Sequence, residues 1–269
     1  YWGHMNLRER VDRFFIAQFE GLPLDQADEM DILEANGSVN FGSNKAYRAM
    51  LKKIKAGSPA TNPDDLQYIL DNVDVDNLFE YMALEMFVGN SDIGNIRYYR
   101  LHQEGSKWKW IWYDADYGLY SSKFNSPWSY MKVKGMGEQK IDNTIFLKLL
   151  EHPDYKRKFL EKLADVYKTF TTEYMTQVLD GVVAEIQPEM KNHWERWGEL
   201  NDKAVTSEVP TTIDGAYTYW ESRVNRLYNT LKVRPHRLWD FIKDEFKLTK
   251  TEMEELFGPQ PDYPDDAVL

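Results

Sequence analysis

One change of periodicity constrains this chain more than any other feature. Across 77–88 apolar side chains return every three or four residues, with Leu78, Met82 and Met86 on one face and Glu85 among them, which predicts a helix. Asp74 or Asp76 is placed to cap its start, and Gly89-Asn90 to stop it. A polar loop follows, and then the period drops to two over 96–102 and 107–113, with Gln103-Glu104-Gly105-Ser106 as the turn of a β-hairpin. The loop carries Asp92 and Asn95. The second strand runs through Trp108, Trp110 and Trp112 toward Asp114 and Asp116, and alternation continued that far places all five on one side, with both carboxylates facing one space.

The rest of the chain reads as support. Residues 1–10 alternate like the end of a strand and open without Met, so we expect the visible chain to begin inside a larger protein. A short helix through Val11, Phe14, Phe15 and Phe19 closes at Gly21-Leu22-Pro23, a strand lies at 30–34, and Asn36-Gly37 suits a tight turn. Tyr47, Met50, Leu51 and Ile54 mark one helix, and Leu66, Ile69 and Leu70 another. Residues 121–143 read as a long loop. Beyond it come apolar stripes at helical spacing: Phe159 to Phe170, Met175 to Ile186, Trp194 with Trp197, and, after a polar break at 198–215, Tyr217 to Leu231 and Leu238 to Phe246. The expected class is α+β, mostly α, with a small hairpin carrying the metal site, a domain over 1–248 and a tail or linker over 249–269.

Composition narrows the function classes. With 42% hydrophobic and 14% aromatic residues in 269, the chain has ample material for a core. Its formal charge of −11 argues against binding nucleic-acid backbone, which needs clustered Lys and Arg. The absence of Cys removes disulfides, zinc fingers and thiol catalysis, and the five His residues have no metal-ligand spacing. No apolar run approaches the ~20 residues of a membrane span.

Asp92, Asn95, Asp114 and Asp116 are the candidates for chemistry. Phosphoryl transfer needs a carboxylate to orient the attacking hydroxyl and oxygen ligands to hold magnesium against a triphosphate, and these residues supply both in the order protein kinases use. Turn-capping is the plainer role for any single Asp. Asp-x-Asp also serves metal-dependent glycosyltransferases, and the three tryptophans offer either a stacking platform or packing against helices. Lys123, Lys132, Lys134 and Lys140 in the long loop can meet an acidic substrate or simply water. Arg97 and Arg100 flank the loop and are expected to pair with its carboxylates.

Several separated segments together resemble the spore coat protein H, or CotH, kinase family of atypical protein-kinase-like proteins. Residues 2–10 resemble its Gly-x-Tyr-x-Leu-x-Glu strand, with Met5 in place of Tyr. Asn90-Ser91-Asp92 with Asn95 resembles its Asn-x-Asp and downstream Asn, and 110–118 its tryptophan-led Asp-x-Asp. Phe146-Leu147-Lys148-Leu149-Leu150 with Asp154-Tyr155-Lys156 resembles a later helix start, and Arg234-Pro235-His236 its late Arg.

The resemblance implies the carboxy-terminal lobe of a kinase-like fold, with the phosphate-covering lobe upstream of Tyr1. It also implies ATP with Mg2+ or Mn2+, and a protein substrate of coat or surface type outside the cytoplasm. Asp92 takes the role of catalytic carboxylate, Asn95 that of a nucleotide-side or metal ligand, and Asp114 or Asp116 that of the magnesium ligand. Glu9 is placed near the hinge, on the nucleotide side. A non-catalytic coat or surface protein and a carbohydrate-active enzyme are the other classes compatible with the residues.

Overall fold

A computed structural model of the chain describes residues 3–132, 141–204 and 212–264. Asp12 starts α1 (Arg13–Phe19) by accepting the N–H groups of Phe14 and Phe15 at 2.9 and 3.2 Å. β1 (Met30–Glu34) and β2 (Ser38–Phe41) then form a hairpin whose turn holds Gly37 at a φ of 88°. Next come α2 (Lys45–Ala56), α3 (Pro63–Asn72) and α4 (Val75–Val88), the last capped by Asp74, whose side chain accepts from Asn77 N–H at 3.1 Å. β3 (Arg97–Leu101) and β4 (Lys109–Ile111) follow.

The remaining described elements are helices: α5 (Ser126–Tyr130), α6 (Thr144–Leu150), α7 (Pro153–Thr169), α8 (Thr172–Ile186), α9 (Met190–Ala204), α10 (Ile213–Phe246) and α11 (Lys250–Phe257). Among the described residues, no helix is long and apolar enough to cross a membrane.

α4 is the axis of the core. Ten of its residues are buried, on every side of the helix, so neighbours must surround it. Phe79 meets Phe159 of α7 and Phe146 of α6 at ring separations of 5.4 and 6.2 Å, and Phe159 meets Phe246 of α10 at 5.7 Å.

The expected hairpin is half of a four-stranded antiparallel sheet of order β2-β1-β3-β4. Both faces are covered, and alternation sorts the side chains. Leu33, Tyr98 and Trp110 enter the main core, while Met30, Ile32, Tyr99 and Leu101 join Ile16 and Ala17 of α1 in a smaller one.

Several expectations are corrected. Residues 3–10 form no strand: Met5 and Leu7 are exposed, and a strand without a partner ladder has nothing to hold it. The long loop of 121–143 contains α5, started by Asn125, whose side chain accepts from Trp128 N–H at 2.9 Å. Five residues are too few for a periodic signal. β4 ends at Ile111, well short of Asp116, because Asp114 has a φ of 54° and 116–119 form a turn.

The 175–186 stripe, in α8, stays unburied, with Val178 and Val182 exposed. The boundary expected at 248 falls just before α11, whose Met253, Leu256 and Phe257 sit in the main core under a Thr249–Glu252 capping box, so residues 249–257 are not tail.

Candidate functional site

The two stretches singled out in the sequence both hang from the last turn of α4. Gly89 ends the helix in left-handed conformation at φ 66°, and its N–H bonds Glu85 O at 3.0 Å. The Arg234 guanidinium covers this end. It donates to Phe87 O at 3.2 Å, Met86 O at 2.9 Å, Phe124 O at 2.6 Å and Ser126 Oγ at 2.6 Å. A Cβ at Gly89 would lie 2.7 Å from Arg234 Nη2. Gly89→Ala therefore combines a disfavoured φ with a clash against a buried charge, and is expected to cost about 1–3 kcal/mol, read as a lower urea midpoint at unchanged m.

Asn90, itself buried, accepts the Asp92 N–H through Oδ1 at 3.0 Å, and Asn95 N–H closes the loop on Asp92 O at 3.2 Å. The half-buried Asp92 carboxylate is thus carried on a short, internally bonded loop. On the other side, Leu119 N–H bonds Val88 O at 2.6 Å, which ties the turn after Asp116 to the same helix end. Asn95 joins the halves: its Oδ1 accepts the Tyr113 hydroxyl at 2.8 Å and its Nδ2 donates to Asp114 Oδ2. Burial raises the pKa of the Tyr113 hydroxyl, and the charges of Asp114 and Asp92 add to the rise. Asp114 and Asp116 are exposed.

Under the same helix end lies Glu85, 1% exposed. It accepts the Tyr130 hydroxyl at 2.7 Å, and the same hydroxyl lies 3.4 Å from Asn90 O. Burial pushes its pKa up to about 7 against the Tyr130 hydrogen bond, with the Asp92 charge adding to the rise.

Other expected residues go elsewhere. Arg97 pairs with Glu34 at 3.0 Å and Arg100 lies 3.8 Å from Asp31, because the β1–β3 register sets Glu34 opposite Arg97 and Asp31 opposite Arg100. Neither joins the loop carboxylates. Trp108 and Trp110 are buried and offer no stacking face for a sugar; Trp112 alone of the three is exposed.

Glu9 is exposed on the irregular segment before α1, which Arg97 holds by donating to Val11 O at 2.5 Å. Lys123 is exposed, Lys132 stacks over Trp128 at 4.4 Å, and Lys134 and Lys140 lie outside the described residues.

Among the described residues no group of three or more His, Asp or Glu converges to hold a metal. Magnesium does not require one, since it is ordinarily held by one or two carboxylates, with substrate phosphates and water completing the octahedron. Asp114 and Asp116 are exposed carboxylates, donors of the chemical type magnesium takes, whereas Asn95 is half-buried and its Oδ1 is engaged by the Tyr113 hydroxyl.

Sequence reasoning missed the roles of Glu85, Tyr113 and Tyr130, and found Arg234 only through the resemblance. A signal existed for Glu85: it is a carboxylate on the apolar stripe of Leu78, Met82 and Met86.

No curated protein and no solved structure matches the chain. A family model described as CotH kinase protein matches residues 17–238, which include α4, the loop, the hairpin and Arg234. That span is most of the 269 residues, and the chain belongs to the CotH kinase family.

Proposed function

We propose that this protein transfers the terminal phosphoryl group of ATP to a hydroxyl on another protein in a magnesium-dependent reaction, Mn2+ being an acceptable substitute. The observation that carries the reading is the joining of Asp92 and Asp114 through Asn95 at the end of one buried helix. Asp92 orients the attacking hydroxyl and takes its proton as the oxygen–phosphorus bond forms. Its loop is fixed by backbone bonds, so the carboxylate arrives pre-positioned and little ordering remains for the reaction itself. Asp114 and Asp116 would hold the metal, which when bound neutralises charge on the phosphates. Asn95, with its oxygen on Tyr113 and its nitrogen on Asp114, keeps the second carboxylate from swinging into solvent. Glu9 stands as a nucleotide-side residue on the family resemblance alone, as do a coat or surface protein as acceptor and a location outside the cytoplasm.

Thermal unfolding of the full-length protein with ATP and magnesium, with ATP and a chelator, and with oligosaccharides tests the reading. At 100-fold over the dissociation constant, the metal–nucleotide pair is expected to add about 2.7 kcal/mol, and chelator or Asp116→Ala should remove most of it. No shift with ATP and magnesium, or a shift that survives both chelator and the substitution, would sink the proposal.

A further inference from the structure

The chain carries a formal charge of −11, yet one cavity of about 550 Å³ is lined by Lys123 and Arg226 and, among the described residues, by no Asp or Glu. It lies between the 121–123 segment and the face of α10 that carries Ser222, Asn225, Arg226 and Asn229, spaced as one side of a helix requires. The Arg226 guanidinium sits 4.4 Å over the Tyr120 ring, which sets its direction without neutralising it. Neither Arg226 nor Lys123 pairs with a carboxylate among the described residues.

Two solvated surface cations are ordinary in themselves. Thr230 is not. It is 3% exposed and lines the same cavity, and among the described residues its hydroxyl has no hydrogen-bond partner. Ser129 and Ser222, also in helices, turn their hydroxyls back onto the carbonyls of Asn125 and Tyr219 at 3.2 and 2.6 Å. A buried hydroxyl without a partner destabilises the fold, and a valine of nearly the same shape would not.

We propose that this cavity binds a phosphate monoester. Arg226 offers the planar fork that meets two phosphate oxygens at once, and Lys123 a point charge. Thr230, Ser122 and Asn225 supply neutral donors for the remaining oxygens. A phosphate monoester carries close to two negative charges at neutral pH and three acceptor oxygens, so it engages both cations and several neutral donors together. A single carboxylate leaves part of that set unused.

The cavity adjoins the candidate site. Ser121 follows Asp116 closely in the chain, and the exposed rings of Tyr117 and Tyr120, 6.3 Å apart, link the turn after that carboxylate to Arg226. A phosphorylated side chain of the acceptor protein is the source this position favours, anchoring the acceptor a few residues from the hydroxyl that reaches Asp92. That use rests on the reading of Asp92 as the catalytic carboxylate; the site itself does not.

Equilibrium binding to the full chain, without nucleotide or metal, tests the site. The probes are a Gly-Ser peptide bearing one phosphoserine, the same peptide with serine or glutamate in that place, and inorganic phosphate. The phosphopeptide is expected to bind at least about 10-fold more tightly than the other two peptides and to weaken as salt is raised. Arg226→Glu and Lys123→Glu should each lower its affinity about 10- to 100-fold, with urea midpoints at wild type because both side chains are exposed.

Thr230→Val should weaken phosphopeptide binding about 5- to 10-fold while unfolding at a urea concentration no lower than wild type. A hydroxyl with a purely structural role would show the reverse, a lower midpoint with binding unchanged. Inorganic phosphate that binds as tightly as the phosphopeptide, with the same dependence on Arg226, keeps the site and makes the free ion its occupant. A glutamate peptide that binds as well as the phosphopeptide, or phosphopeptide binding indifferent to Arg226 and Lys123, overturns the proposal. Because no transfer is measured, a protein unable to phosphorylate leaves this result standing, and a protein that transfers phosphate without Arg226-dependent binding loses the site but not the role of Asp92.

Discussion

Asp92→Asn is expected to lower the rate of phosphoryl transfer by about 10²- to 10⁴-fold while leaving the urea midpoint within experimental error of wild type. The two halves of that expectation come from different atoms. The loop is shaped by the backbone of Asp92, whose N–H bonds Asn90 Oδ1 and whose carbonyl accepts from Asn95 N–H. Asparagine keeps both bonds and nearly the same volume. What it loses is a carboxylate able to take a proton from the acceptor hydroxyl. Paired measurements of kcat and unfolding separate the two contributions. A variant retaining more than a tenth of wild-type turnover would remove Asp92 from the proton-accepting role.

Arg234→Met carries the largest expected loss of stability, roughly 3–5 kcal/mol. The guanidinium is 2% exposed and its described hydrogen bonds go to three carbonyls and one hydroxyl, with no carboxylate among them. Burial pushes its pKa down to about 9, which leaves it charged at neutral pH. What compensates the buried charge is the carboxy-terminal end of α4, where unpaired carbonyls carry partial negative charge. Methionine fills much of the volume but leaves Met86 O, Phe87 O and Phe124 O without that donor in a region closed to water.

Against a typical total of about 5–15 kcal/mol, this is a large fraction. Arg234→Lys should recover only part, since an ammonium cannot reach carbonyls on both α4 and the 124–126 segment with the same fork. A Met variant within 1 kcal/mol of wild type by urea unfolding would show that α4 needs no such cap.

Much of the site's frame was legible because its signals are local. The apolar stripe of α4, the Asp74 cap, the Gly89 stop and the alternation of β3 each depend on residues a few positions apart. The same locality explains the errors. Alternation carried past Ile111 took no account of Asp114 adopting a positive φ, and α5 was too short to show a period. Arg97 and Arg100 lie beside the loop in sequence, yet their partners are chosen across the sheet, by a register with β1 that only folding sets.

By itself, then, the sequence determined a helix that ends at Gly89, a loop with Asp92 and Asn95, a hairpin leading to Asp114 and Asp116, and membership of a kinase family. Tertiary structure alone decided what holds these pieces in one place. Arg234 reaches Phe87 across 147 positions of chain, Tyr130 reaches Glu85 across 45, and Asn95 reaches Asp114 across 19. No periodicity encodes such meetings, because they depend on which helix packs against which. A buried charge or carboxylate shows its purpose only when its distant partners are in view.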